Sequence, residues 1–159
     1  MGDIDRLRAD LEGVREELIA AFEGLSSDAF ERGCVERPTG ESWAIRDVVW
    51  HVGLVEDWTR RTVDLGVRGG TPTACVERAR PAIAQTPEYL GEWLEQCGRP
   101  LLALLRRLPE DALDASFVLA DGESTTARGM LERVIAHGRE HAAQITMLVD
   151  GPSGVEGAT

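Results

Sequence analysis

Ile4, Leu7, Leu11, Val14, Leu18 and Phe22 recur at intervals of three and four residues, the spacing that gathers side chains on one side of an α-helix. The spacing returns three more times. Ile45, Val48, Val49, Val52, Val55 and Thr59 carry it in a second segment, and Leu90, Trp93, Leu94, Cys97, Leu101, Leu104, Leu105 and Leu108 in a third. Met130, Val134, His137, His141, Ile145 and Leu148 carry it in a fourth. Four long helices with one apolar side each can bury those sides only against one another, so the expected fold is all-α, a four-helix bundle. The three connections are all long, and the residues alone leave open which neighbours run parallel.

Local signals set the expected boundaries. The first helix spans about Asp3 to Gly24, with Asp3 as cap, Gly24 as stop, and Glu and Arg on a solvated side. Residues 25–41 form a connector holding a short helical turn, broken by Gly33, Pro38, Thr39 and Gly40. The second helix is expected from Ser42 to Leu65 and carries Trp43, Trp50 and Trp58, read as packing residues. Gly66 to Gln85 is a long connection with a short helical piece at Val76–Ala79; connections of this length often border a functional site. Thr86-Pro87-Glu88 starts the third helix, with a Thr cap and Pro in first position, and Gly98 and Pro100 predict a kink near residues 96–100. Ser116–Ala120 reads as an extended piece followed by an Asp121-Gly122 turn, without a sheet. Thr125 or Thr126 caps the fourth helix, which ends at Val149 before Asp150-Gly151-Pro152. Residues 1–150 are expected to form one domain and 151–159 a flexible tail.

Composition removes several function classes. A net charge of −11 with a pI of about 4.7 argues against nucleic acid and anionic membrane surfaces, which require a basic footprint. Every basic residue is Arg, so lysine nucleophiles and Schiff bases are excluded. No apolar run is long enough to span a bilayer, and Met1-Gly-Asp-Ile-Asp-Arg6 is acidic rather than signal-like, so the expected location is the cytoplasm. Cys34, Cys75 and Cys97 are odd in number and far apart, with no C-x-x-C. They indicate neither a disulfide framework nor a zinc ribbon, and read as buried or loop thiols.

The chain has three histidines. His137 and His141 stand one helical turn apart and face the same way, in the row that should face the bundle core. His51 sits within the apolar arc of the second helix. A buried imidazole needs partners for both ring nitrogens, and three of them can meet that need by sharing a metal. Three imidazoles with an open position are an arrangement of catalytic zinc, and nickel and iron also accept imidazole. Core histidines satisfied by ordinary neighbours would give the same spacing, and the residues alone leave both readings open. Asp47, four residues before His51, could accept its ring N–H or face water. Glu140, beside His141, could orient a ligand, act as a base, or lie on the surface; Gln144 could hydrogen-bond at the rim. Gly138 follows His137, so the H-E-x-x-H metalloprotease signature is absent.

Trp43-Ala-Ile-Arg-Asp47-Val-Val-Trp-His51-Val-Gly-Leu-Val-Glu-Asp-Trp58 resembles the second-helix signature of the DinB/YfiT-like superfamily, in which a Trp and an acid precede a metal-binding His. His137-Gly-Arg-Glu-His141-Ala-Ala-Gln144-Ile resembles its fourth-helix signature. The superfamily includes the N-terminal domain of mycothiol-dependent maleylpyruvate isomerases. The resemblance covers essentially the whole chain. It implies an up-down-down-up bundle, a divalent metal on His51, His137 and His141, and homodimerisation. It also implies a low-molecular-weight thiol such as mycothiol or bacillithiol as cosubstrate. Two departures bear on this. Ala44 takes the place of the usual Ser or Thr after the motif Trp, so the helix cap must come from Ser42 or elsewhere. The isomerases carry an added C-terminal domain that contributes to their site and that these 159 residues lack, which argues against maleylpyruvate isomerisation and leaves thiol transfer open.

Three functions are compatible with these residues. The first is a metal-dependent thiol S-transferase acting on a small electrophile, with Glu140 or Asp47 as supporting carboxylates. The second is a metal-dependent hydrolase or isomerase using metal-bound water. The third is a non-enzymatic metal- or ligand-binding bundle.

Overall fold

A computed structural model describes residues 2–32, 34–36 and 40–150. The breaks expected at Gly33, Pro38 and Thr39, and the tail 151–159, lie outside the described residues. Four long helices, α1 (Asp3–Phe22), α3 (Ile45–Val67), α4 (Pro87–Arg107) and α5 (Ala127–Val149), form the bundle, with a short α2 (Ser27–Arg32) on the first connection.

The core falls into two clusters, and their membership fixes the helix directions. Leu7 and Leu11 of α1, Val63 of α3, Leu101, Leu104 and Leu105 of α4, and Met130 and Val134 of α5 share one cluster. Leu18 and Phe22 of α1, Val48, Val49 and Val52 of α3, Leu90 and Leu94 of α4, and Ile145 of α5 share the other. The N-terminal halves of α1 and α5 therefore lie at one end and those of α3 and α4 at the other, which is the up-down-down-up order. The parallel pairs α1–α5 and α3–α4 pack most extensively, and α3 lies against α5. Of the three connections only residues 68–86 join consecutive parallel helices, α3 and α4, and that one must run the length of the bundle as a crossover.

The helix starts follow capping chemistry. The Thr86 hydroxyl accepts from the N–H of Tyr89 and Thr126 from that of Gly129, so Thr126 rather than Thr125 caps α5. Gly2, not Asp3, occupies the cap of α1; Asp3 instead binds Arg128 at 2.8 Å. Ala44 precedes α3 and has no side-chain acceptor. The reciprocal half of a capping box holds this end, the Asp47 carboxylate accepting the Ala44 N–H at 3.0 Å.

Two antiparallel ribbons depart from the expected all-helix pattern. Ser42–Ala44 is not the start of the second helix. It forms β2, paired with β1 (Cys34–Glu36) so that Val35 opposes Trp43. Ser116–Val118 does enter a sheet, as β3 against β4 (Ser124–Thr126); Gly122, with φ +90°, makes the turn, and a 3-10 turn spans Glu110–Asp114. Each ribbon runs directly into a histidine-bearing helix, β2 into α3 and β4 into α5. Val76–Ala79 is not helical; residues 70–81 are without regular structure.

Between the core clusters lies a polar layer that the solvated-side reading of Arg15 missed. Arg15 is 7% and Glu56 4% exposed. The Arg15 guanidinium donates to Glu56 Oε2 at 3.2 Å and to the Leu94 carbonyl at 2.7 Å. Gly98 makes room for it, because a Cβ there would fall on Arg15 Nη1. Gly98→Ala must therefore expel the guanidinium and break the buried pair. We expect it to destabilise the fold by about 3 kcal/mol, read as a lower midpoint in urea with an unchanged slope.

Candidate metal centre

His51 lies on the second turn of α3, and His137 and His141 on successive turns of α5, where the antiparallel pair α3–α5 brings them together. One ligand atom from each lies within 4.8 Å of the others. His137 Nε2 is 3.1 Å from His51 Nε2 and 3.0 Å from His141 Nε2. The three rings stand edge to face, with centroids 4.4–5.5 Å apart. All three are half-buried, and the His51 side chain keeps 17% of its surface exposed.

The outer nitrogens decide the chemistry of the inner ones. His51 Nδ1 lies 3.1 Å from Glu77 Oε1, and His141 Nδ1 lies 2.8 Å from Gln144 Oε1. A carboxylate or amide oxygen only accepts, so each Nδ1 carries the proton and each Nε2 presents its lone pair to the centre. His137 could donate an Nε2 hydrogen to one neighbour, not to both. Its Nδ1 is buried with no hydrogen-bond partner among the described residues. Burial first, then His141 and His51, pushes its pKa down to about 3, so the ring stays neutral and keeps a lone pair available. Lone pairs converging at about 3 Å repel unless a cation sits between them. Tetrahedral coordination at about 2.0–2.1 Å separates ligand nitrogens by about 3.3 Å, within a few tenths of an ångström of the two spacings that meet at His137, and the third pair lies within 4.8 Å. The residues fit a divalent metal on His51, His137 and His141.

The two carboxylates singled out in the sequence do not join this centre. Asp47 does not serve His51: its oxygens accept from the Ala44 N–H and from Arg80 Nε at 2.8 Å, because the helix start and the arginine claim them. Glu140 is exposed, on the solvent side of α5. Gln144 does hydrogen-bond at the rim. Glu77 was not anticipated. It belongs to an irregular segment with no periodicity, and the length of that connection was the one cue to it.

The tryptophans pack and also tether. Trp43 lies against His51 with ring centroids 4.9 Å apart, and Trp50 stacks on Trp93 at 4.1 Å. Between α3 and the connection after it lies a cavity of about 430 Å³, walled by Trp43, Trp50, Glu77, Arg78 and Arg80. A larger open groove of about 730 Å³ between α1 and α5 is lined by residues such as Ala20, Ala143 and Met147, and by none of the histidines. Its charged lining residues, Glu17, Arg139 and Asp150, are not among the clustered potential metal ligands, which are His51, His137 and His141 among the described residues, so the histidine cluster defines the candidate site. The Cys97 thiol is buried and pushed up to about 12 by desolvation and then Glu56, which makes it a poor nucleophile.

A family model for the DinB superfamily matches residues 33–145, a span that contains all three histidines. YfiT from Bacillus subtilis has a similar structure, with a TM-score of 0.74 at 22% identity, over 92% of this chain and 86% of that one. It is described as a probable metal-dependent hydrolase with an unusual four-helix bundle topology. At that identity the likeness is one of fold. No curated protein sequence matches the chain.

Proposed function

Because this chain belongs to the DinB superfamily, we propose that it is a divalent-metal-dependent enzyme that transfers a low-molecular-weight thiol, of the mycothiol type, to a small electrophile. The observation that carries the metal-dependent part is the convergence of three Nε2 atoms whose lone pairs cannot all be satisfied by one another. His51, His137 and His141 would hold the ion, with zinc the best match to three imidazoles and an open position. A bound divalent cation supplies Lewis-acid charge that lowers the pKa of a thiol or water brought to it.

The protein's own part is to position and desolvate. Glu77 and Gln144 fix two ring tautomers, Trp43 flanks His51, and the half-buried setting limits competing water. The preference for thiol over water rests on the carboxylates. Asp47 is committed to Ala44 and Arg80, Glu140 faces solvent, and Glu77 faces Nδ1 rather than Nε2. A thiol, with an ordinary pKa of about 8.5, needs acidification alone to become a nucleophile. Water starts at about 15.7 and on zinc still titrates at about 7, whereas a coordinating thiol is deprotonated outright.

The second reading is hydrolysis, favoured by the description of the structurally similar YfiT. One experiment separates the two. Zinc-loaded protein is given an activated electrophile with and without mycothiol or bacillithiol. Thiol-dependent formation of the S-conjugate, abolished by chelation, is the expected result. Turnover without thiol would favour the hydrolase. Full activity in the metal-stripped protein would defeat both.

A further inference from the structure

Residues 68–86 cross the outer side of α3 without regular structure, yet they are pinned at intervals. Trp58 Nε1 donates to the Thr73 carbonyl and Trp50 Nε1 to the Arg78 carbonyl, each at 2.8 Å. Arg80 then reaches back to Asp47 Oδ1 at 2.8 Å and to the Ala84 carbonyl at 2.6 Å. Glu77 lies between the two indole tethers, one residue before the carbonyl that Trp50 holds. Its side chain is half exposed, at 47%, and its backbone lies on no helix or strand, so the tethers are what deliver its carboxylate to His51.

From this arrangement we infer that the 68–86 connection is a strap belonging to the metal centre, with Glu77 as the positioning residue for His51, so that metal occupancy and attachment of the strap reinforce one another. The inference rests on the three-histidine reading and adds to it the element that orients one ligand. The carboxylate fixes the His51 tautomer and ring plane and raises the basicity of Nε2; partners of this kind commonly change metal affinity by about 10–100-fold. Coupling between sites is reciprocal. An ion that holds His51 in place also favours the Glu77–His51 bond, and with it the segment between Thr73 and Arg78.

The test is zinc affinity by competition with a chromogenic chelator for the wild type, Glu77→Ala and Glu77→Gln, together with hydrogen exchange of residues 73–80 in the wild type with and without zinc. Glu77→Ala should bind zinc about 10–100-fold more weakly while the metal-free variant keeps the wild-type melting midpoint. Glu77→Gln retains an acceptor oxygen and should recover part of the loss; it carries the measurement if the alanine variant misfolds. Zinc should slow exchange of residues 73–80 in the wild type. Unchanged affinity in Glu77→Ala, or exchange indifferent to zinc, would overturn the role of the strap and leave the histidine site standing. A wild type that binds no zinc would overturn the histidine site itself.

Discussion

Glu56→Ala is expected to destabilise the protein by about 3–5 kcal/mol, the loss typical of a buried ion pair stripped of one partner. The guanidinium of Arg15 would remain in the core with the Leu94 carbonyl and the 3.6 Å approach of Glu95 as its compensation. The pair itself is not a large net source of stability. Desolvation outweighs the attraction of Arg15 and, with a smaller push from Glu95, raises the Glu56 pKa from 4.5 to about 7. A folded-state pKa above the unfolded one means that the native protein holds this proton more tightly. The contribution is therefore fully present below pH 4.5 and is lost as pH rises through about 7. Glu56→Gln keeps an acceptor for Arg15 and removes the titration. Urea unfolding at several pH values should show the wild type losing stability across that interval and the glutamine variant losing less. Parallel pH profiles would show that Glu56 does not titrate there.

The second large effect is on metal affinity. His137 stands at the centre of the cluster, about 3 Å from both other Nε2 atoms, and no other side chain of α5 replaces it. His137→Ala should weaken zinc binding by more than about 100-fold, beyond the loss expected for a supporting residue such as Glu77. Its fold should survive, because the ring is half-buried and its Nδ1 makes no hydrogen bond among the described residues that the deletion would break. The checks are chelator competition for affinity and far-ultraviolet circular dichroism for helix content.

The bundle was legible because long amphipathic helices repeat their signal over several turns, as from Ile4 to Phe22, and because Thr86-Pro87 and Thr126 have the side-chain chemistry of helix starts. The ribbons were not legible. Ser42–Ala44 and Ser116–Val118 are three residues long, too short for alternation to show, and Ser42-Trp43 resembles a helix start as readily as a strand. Arg15 was misread as a surface residue because its slot is created by Gly98, 83 positions away, and nothing near Arg15 records it. The histidines could be singled out because there are three and each lies on or beside a core stripe. Their convergence needed the α3–α5 pairing, which helix spacing cannot supply. Glu77 lay beyond reach for the same reason as Arg15: its place depends on tethers from Trp50 and Trp58 to backbone carbonyls.

The central claim, that three imidazoles form one metal site, is tested most directly by titrating zinc into metal-stripped protein and recording the X-ray absorption fine structure of the product. The account predicts one equivalent per chain, with a first shell containing three imidazole nitrogens at about 2.0–2.1 Å. Absence of stoichiometric binding, or a zinc shell without those imidazoles, would contradict it.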